Sequence, residues 1–276
     1  MEAAAEAVTG RPAPALAGLV TVYRGYRYTG FPPGRHVGLP GRHITFVLSL
    51  EDPLEVSWPR GAVSTTATIG GLHADPVTIT HTGTQVGVHV DVLPTALPVL
   101  FGLPPGELTG TVVALADVVG ATVGRELEER VRAARSWPAR FAAIDRVLLR
   151  GRRSTLPPSR EVLRAWDLLV HSQGAVPVTA LAHEVGWSRR HLSERFGREV
   201  GLPPKVLARV VRFQAAVDLL KQDPARSLAD LAAVAGYADQ SHLNRDFRTL
   251  AGASPTQWLA AEDLPLVQDG VDQPGG

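Results

Sequence analysis

The sequence of 276 residues contains no cysteine, which excludes disulfides, thiolate nucleophiles, iron–sulfur clusters and cysteine-based zinc sites. Lysine is scarce too, because only Lys205 and Lys221 contribute to the 28 basic residues. There is no run of about 20 apolar residues, the length that a bilayer demands. The first residues carry Glu2 and Glu6 where an export signal would be basic. We therefore expect a cytoplasmic globular protein with no membrane contact.

Arginine supplies nearly all of the positive charge. Its guanidinium group favours bidentate recognition of phosphates and guanines, although a GC-rich coding bias is the simpler explanation of the excess. The formal net charge of +1 averages over regions that differ, so local charge is more informative. The stretch Arg189–Arg212 contains only Glu194 and Glu199 as acidic residues. We call it the basic footprint and predict that it contacts nucleic acid. Its cations are Arg189, Arg190, Arg195, Arg198, Lys205, Arg209 and Arg212.

The N-terminal residues, up to about Val92, form short β-branched or aromatic segments separated by glycine and proline. Such segments predict antiparallel strands in a small sandwich or barrel rather than alternating strand–helix units. The predicted strands are Leu19–Tyr28, His43–Leu50, Leu54–Trp58, Val77–His81 and Gln85–Val92.

Helices are predicted to follow these strands. Opposite charges spaced four residues apart predict a solvated helix over Gly124–Arg135. Ser136 before Trp137-Pro138 is a helix start, and the apolar residues after it recur on one face: Phe141, Ile144, Val147 and Leu148. The polar, proline-stiffened segment Gly151–Pro158 is predicted to be a linker between domains.

Beyond the linker one pattern occurs twice, because Leu181–Trp187 aligns with Leu231–Tyr237. In each copy leucine and alanine pack a first helix, glycine permits a tight turn, and an aromatic residue begins a second helix, as in a helix-turn-helix. Each second helix then places a leucine and a phenylalanine on its inner face: Leu192 with Phe196, and Leu243 with Phe247. A spacer helix from about Lys205 to Lys221, about 25 Å long, joins the two units.

The outward faces of the two second helices carry side chains that hydrogen-bond. With the apolar pairs turned inward at about 100° per residue, Arg190 and Glu194 face outward in the first unit, and Ser193, His191 and Gly197 lie on the flanks. In the second unit the outward residues are Ser241, Arg245 and Arg248, the flanking residues are Asn244 and His242, and Gln240 lies in the first turn. A recognition helix in a major groove needs such side chains, whereas a protein-binding adaptor would present apolar residues. Arg189 is predicted to join them as a phosphate contact, the alternative being a solvated face.

Residues 161–260 resemble the two-unit DNA-binding domain of the AraC family. The resemblance rests on Gly186–Phe196, on Gly236–Phe247, and on Gly252–Trp258, which is similar to the family's closing Gly-x-Ser-Pro element. It implies a transcription regulator that binds double-stranded DNA. The family's base-contacting positions correspond to Arg190, Ser193 and Glu194 in the first unit and to Gln240, Ser241, Asn244 and Arg245 in the second, which agrees with the helical spacing. Many members have arginine where this chain has Glu194, so the base preference at that position does not carry over. The N-terminal half is similar to cupin-like domains that bind a small effector or mediate dimerisation.

The predicted fold class is therefore α+β: an N-terminal β-sandwich or cupin-like domain with trailing helices, then an all-α domain of two helix-turn-helix units and a spacer helix. Residues 1–155 are expected to be an effector-binding or dimerisation domain and residues 156–264 the DNA-binding domain. Residues 265–276 are expected to be a disordered tail. The expected partners are double-stranded DNA, a small-molecule effector and a second copy of the chain.

Histidines in the N-terminal half leave an alternative open, a cupin-like metal-binding or catalytic domain fused to a DNA-binding module; they are His36, His43, His73, His81 and His89. A His-x-His pair followed by glutamate is missing, and histidines near strand ends are more often plain hydrogen-bonding groups. The sequence accordingly predicts no catalytic residue, no metal and no cofactor.

Overall fold

The computed structural model describes residues 3–153 and 158–261. The N-terminal half contains strands β1 to β10, at Ala4–Gly10, Val20–Thr29, Gly34–Gly38, Ile44–Ser49, Leu54–Trp58, Gly61–Thr65, Ala67–Gly70, Val77–His81, Gln85–Val92 and Val112–Ala114. The α-helices, of which α1 precedes β10, are α1 to α11, at Leu97–Phe101, Leu115–Val119, Ala121–Ala133, Trp137–Gly151, Arg160–His171, Val178–Glu184, Arg189–Val200, Pro204–Gln222, Leu228–Val234, Gln240–Leu250 and Pro255–Ala260.

The strands form two antiparallel sheets, one in the order β1-β2-β9-β4-β7-β10 and the other in the order β3-β8-β5-β6. Side chains from both sheets line one cavity, so the sheets face each other. The predicted α+β class with an N-terminal sandwich is confirmed. All five predicted strands exist, three of them with identical bounds.

Alternation along β2 decides which side chains fill the sandwich and which meet the helices. Tyr26 and Tyr28 line the cavity between the sheets. Tyr23 points to the other face, where its ring stacks on Phe141 of α4 with centroids 5.4 Å apart. Gly25 lies on that face as well, and a Cβ there would lie 2.4 Å from the Trp137 ring. The glycine is therefore required for helix α4 to lie directly on the sheet.

The two trailing helices fit the sequence prediction closely. The first spans Ala121–Ala133 and buries Leu127 and Val131. The second begins after Ser136, whose side chain accepts a hydrogen bond from the Ala139 amide, as an N-cap does. Its predicted inner face is buried, namely Phe141, Ile144, Val147 and Leu148.

The N-terminal half contacts both helix-turn-helix units. One buried apolar cluster runs from the sandwich into the first unit, and a second cluster in the second unit packs against Leu39 and Ala74 of the N-terminal loops. Thr109 Oγ1 donates to the carbonyl of Gly201 at 2.5 Å, and the Arg42 amide donates to Gln214 Oε1 at 3.1 Å. A conformational change in these loops would therefore directly alter their contacts with the DNA-binding half.

The predicted domain boundary at residue 155, part of the predicted linker and the predicted tail at 265–276 all lie outside the described residues. Within the described ranges, no helix is long and apolar enough to span a membrane.

Candidate nucleic-acid interface

The first helix-turn-helix unit consists of α6 and α7. Gly186 makes the turn between them with φ +71°, a conformation that favours glycine. The Trp187 amide donates to the carbonyl of Ala182 at 2.9 Å, which closes the turn. Ser188 then caps α7 by accepting from the His191 amide at 3.2 Å. Leu192 and Phe196 are fully buried, so the opposite face of α7 remains at the surface.

The second unit, formed by α9 and α10, repeats this construction. Gly236 has φ +76°, and the Tyr237 amide donates to the carbonyl of Ala232 at 2.8 Å. Asp239 replaces serine as the cap and accepts from the His242 amide at 2.7 Å. Leu243 and Phe247 are again fully buried. The repeat seen in the sequence is thus a repeat of structure, down to the hydrogen bond that closes each turn.

The predicted DNA-binding side chains lie on these two helices. Arg189, Arg190 and Glu194 are exposed on α7, and Gln240, Ser241 and Arg245 are exposed on α10. Ser193 and Asn244 are half-buried, and Asn244 Oδ1 has no hydrogen-bond partner among the described residues. The structure therefore presents two separate polar faces, one on each recognition helix. Of the predicted residues, Asn244 is the least accessible for a contact with DNA.

Glu194 forms an ion pair within α7. Its Oε1 accepts a hydrogen bond from Arg190 Nε at 2.8 Å, and both side chains are exposed. The hydrogen bond and the charge of Glu194 raise the pKa of Arg190 above its ordinary value. The pair fixes the guanidinium on the outer face of the helix.

The basic footprint is smaller than the sequence predicts because, besides the exposed Arg190, three of its cations that are only partly exposed have partners within the chain. Arg195 pairs with Glu199 at 2.5 Å, and Arg209 Nε donates to Asp246 at 2.7 Å. Arg212 Nη2 donates to the carbonyl of Gly174 at 2.8 Å. The exposed cations of the stretch are Arg189, Arg190, Arg198 and Lys205.

Two of these paired arginines hold the units together, a role that the sequence analysis missed. Both stand on the spacer helix α8. Arg209 pairs with Asp246, which is buried in the second unit. Arg212 reaches Gly174 before the first unit, and its guanidinium lies 5.6 Å from the Tyr237 ring of the second. The spacer thus fixes the orientation of one recognition helix relative to the other.

The sandwich contains a cavity of about 100 Å³, partly open to solvent, between its two sheets. Its lining is mainly apolar, and it includes residues of the loops that meet the DNA-binding half, such as Leu39 and His73. An adjoining polar cavity separates Arg24, His43 and Asp91 from Gln214 and Asp218 of α8.

A buried ion pair lies in the wall of this polar cavity. Arg24 Nη1 lies 2.5 Å from Asp91 Oδ2, and His89 Nε2 donates to Asp91 Oδ1 at 2.8 Å. Burial alone would raise the pKa of Asp91, but the charges of His89, His43 and Arg24 and the hydrogen bond from His89 hold it well below its usual range. In the described ranges no three histidines or carboxylates lie close enough together to hold a metal ion.

Comparisons with known proteins locate the family signal in the C-terminal half. A family model described as a helix-turn-helix domain matches residues 181–261. A search of curated proteins gives no match.

Solved structures resemble a larger part of the chain. ToxT from Vibrio cholerae has a TM-score of 0.52 at 12% identity, covering 88% of this chain and 98% of that one. ToxT from Vibrio cholerae strain SCE256, with a bound unsaturated fatty acid, has a TM-score of 0.50 at 10% identity, with 91% and 96% covered. The C-terminal domain of AraT, a response regulator from Geobacillus stearothermophilus, is 25% identical over 37% of this chain and 84% of its own, with a TM-score of 0.34.

The ToxT likeness concerns the whole fold, and the family model concerns the two units described above. Residues 181–261 are therefore an AraC-type helix-turn-helix domain, the kind of module with which transcription regulators bind DNA.

Proposed function

We propose that α7 and α10 enter two adjacent major grooves on one face of the DNA. The observation that carries this proposal is the repeated geometry, two capped recognition helices with outward polar faces on either side of one spacer. The spacer has 19 residues and is about 28 Å long at 1.5 Å per residue. Adjacent major grooves repeat every 34–36 Å, or about 10–10.5 bp, a distance that lateral packing against such a spacer can match.

The proposed contacts are Arg190, Ser193 and Glu194 of the first unit with base edges, and Gln240, Ser241, Asn244 and Arg245 of the second. Arg189, at the start of α7, is proposed to contact a phosphate. Arginine suits guanine and glutamine or asparagine suits adenine, since each pair can form two hydrogen bonds in the major groove. Methylation interference on a bound duplex tests this arrangement. Interfering guanine N7 positions should fall into two clusters one helical turn apart, and a single cluster would contradict it.

Glu194 is expected to act on DNA binding by positioning Arg190. Replacing Glu194 with alanine should weaken binding to the preferred duplex and leave binding to a scrambled duplex nearly unchanged, because the carboxylate is already paired. Glu194→Gln, which keeps a hydrogen-bond acceptor, is the matched control and should lose less affinity for the preferred duplex than the alanine variant does. Titrations of the two variants onto the preferred and the scrambled duplex at one fixed salt concentration measure these affinities. Tighter binding of the alanine variant to scrambled DNA would instead show that Glu194 repels phosphates and acts as a specificity filter.

The DNA-binding half is expected to work on its own. A fragment of residues 159–262 contains both units and the spacer, so it should fold and keep the sequence preference of the full chain. It should melt at a lower temperature than the same half within the full chain, since the cluster shared with the sandwich becomes exposed. Circular dichroism and duplex titration measure both properties. A folded fragment that binds all duplexes equally would contradict self-sufficiency.

We also propose that the sandwich cavity binds a small-molecule effector that regulates DNA binding. Three observations support this: the cavity between the sheets, the packing of its loop residue Leu39 against the second unit, and a fold like that of ToxT, one of whose structures contains a fatty acid. A bound effector would shift the DNA-binding half only through such differential contacts. DNA binding itself would take place in the cytoplasm, the compartment expected from the sequence.

A homodimer through α3 and α4 is a further proposal. Their inner faces cover the sheet, so a partner would meet outer faces that carry charges such as the Glu126 carboxylate, which accepts from Arg130 and Arg150 at 2.7 Å each. Sedimentation tests it, because a monomer at every concentration, with and without DNA, would exclude the dimer.

A further inference from the structure

The charges around the sandwich cavity restrict what it can bind. No lysine or arginine is among its described lining residues, which are mainly apolar and include Val47, Val56 and Ile79. From this lining we infer that the effector is an uncharged, mainly apolar molecule that carries one or two hydroxyl or carbonyl groups. The inference rests on the proposed effector function of the same cavity.

The histidines of the cavity wall supply no free positive charge. Burial, together with the neighbouring His81, lowers the pKa of His36 to about 4, so its ring is neutral at pH 7. Burial also lowers the pKa of His73, against the raising effect of its bond to the Asp75 carbonyl. His89 already donates to Asp91, so any charge that it carries is balanced. A buried carboxylate on a ligand would meet no available cation.

The charges beside the cavity disfavour an anion as well. In the adjoining polar cavity, which shares His89 with the first, the guanidinium of Arg24 is paired with Asp91, and both side chains are about 10% exposed. The lowered pKa keeps Asp91 ionised, and its carboxylate already engages Arg24, His89 and His43, so none of these groups is free to pair with an added anion. An adjoining cavity that shares Tyr26 and Leu54 with the first is lined by Asp52 and Glu55. A carboxylate left unpaired in such surroundings pays a desolvation cost with no compensating pair.

Polar atoms in the wall explain why the ligand is expected to carry a neutral hydrogen-bonding group. Nδ1 of His36, a lining residue of the cavity, is buried and has no partner among the described residues. A neutral imidazole can donate from one nitrogen and accept at the other. A hydroxyl or carbonyl on the ligand would satisfy His36, whereas a pure hydrocarbon would leave it unpaired.

A matched pair of fluorescent probes tests the inference on the full chain. N-phenyl-1-naphthylamine is neutral, and 8-anilinonaphthalene-1-sulfonate has the same skeleton with an added sulfonate. At pH 7.5 the neutral probe should bind saturably and at least tenfold more tightly. Val56→Trp should abolish its binding by filling the cavity, since Val56 is buried in the wall. Leu163→Trp, at an exposed position outside the cavity, is the control and should change nothing.

Displacement of the neutral probe from the wild-type chain needs no variant and decides the charge of the ligand. Decanol should displace it at concentrations at least tenfold lower than decanoate or decylamine. If decanoate or decylamine displaces it as well as decanol does, the cavity binds ligands but the inference of an uncharged ligand is wrong. If the neutral probe and all three competitors fail to bind, the proposed effector function of the cavity fails.

Discussion

Replacing Arg245 with alanine is expected to weaken binding to the preferred duplex by about 1–3 kcal/mol and to remove discrimination at one base pair. Arg245 is exposed on the outer face of α10, opposite the buried Leu243 and Phe247. A guanidinium in that position can donate two hydrogen bonds to O6 and N7 of one guanine. Its loss therefore removes sequence information as well as affinity.

The measurement is a titration of wild type and Arg245→Ala against duplexes that differ at one base pair each, at constant salt. Arg35→Ala is the matched control, because Arg35 is exposed on β3 of the N-terminal half; its affinities should equal those of wild type. If Arg245→Ala instead loses affinity equally on every duplex and its salt dependence becomes shallower, Arg245 contacts a phosphate and the base-reading role is wrong.

Replacing Phe213 with alanine is expected to lower the free energy of unfolding of the DNA-binding half by about 3–5 kcal/mol, as for other fully buried phenylalanines. Phe213 belongs to the spacer helix and is fully buried. Its ring lies edge-on to that of Phe247 of α10, with centroids 4.9 Å apart. The change would leave a cavity where the spacer and the second recognition helix pack together.

Chemical denaturation of the fragment 159–262, followed by circular dichroism, measures this loss. Phe213→Leu keeps most of the volume and should cost less than about 1.5 kcal/mol. Leu163→Ala, at an exposed position, should be nearly neutral. A loss below 1 kcal/mol for Phe213→Ala would contradict the packing described for the second unit.

Much of this fold could be predicted from local patterns, because the signals are short-range. The strands at Leu54–Trp58 and Gln85–Val92 alternate β-branched residues between turns, and the structure has them with the same bounds. Strand β1, by contrast, is rich in alanine and exposed along most of its length. It is a strand because it pairs with β2 over its whole length, and nothing in its own residues indicates that partner.

The site was predictable where a residue acts within its own helix and not where it acts on another element. The turn glycines follow from the sequence repeat and the outward positions from helical spacing, which also places Glu194 one turn from Arg190. Asp246 did not stand out in the sequence, because a charged residue beside Phe247 is expected to be solvated. It is buried against Arg209, 37 positions earlier. The cavity could not be predicted from the sequence for the same reason, since its walls come from two sheets.

The central claim is that one chain reads two adjacent major grooves, and changing the spacing of the two half-sites tests it most directly. Duplexes selected by the full chain from a random pool should contain two half-sites about 10–10.5 bp apart, centre to centre. Inserting about 5 bp between them, half a helical turn, moves one half-site to the opposite face of the DNA. Affinity should then fall to that of a duplex with a single half-site, while unchanged affinity after the insertion would contradict the account.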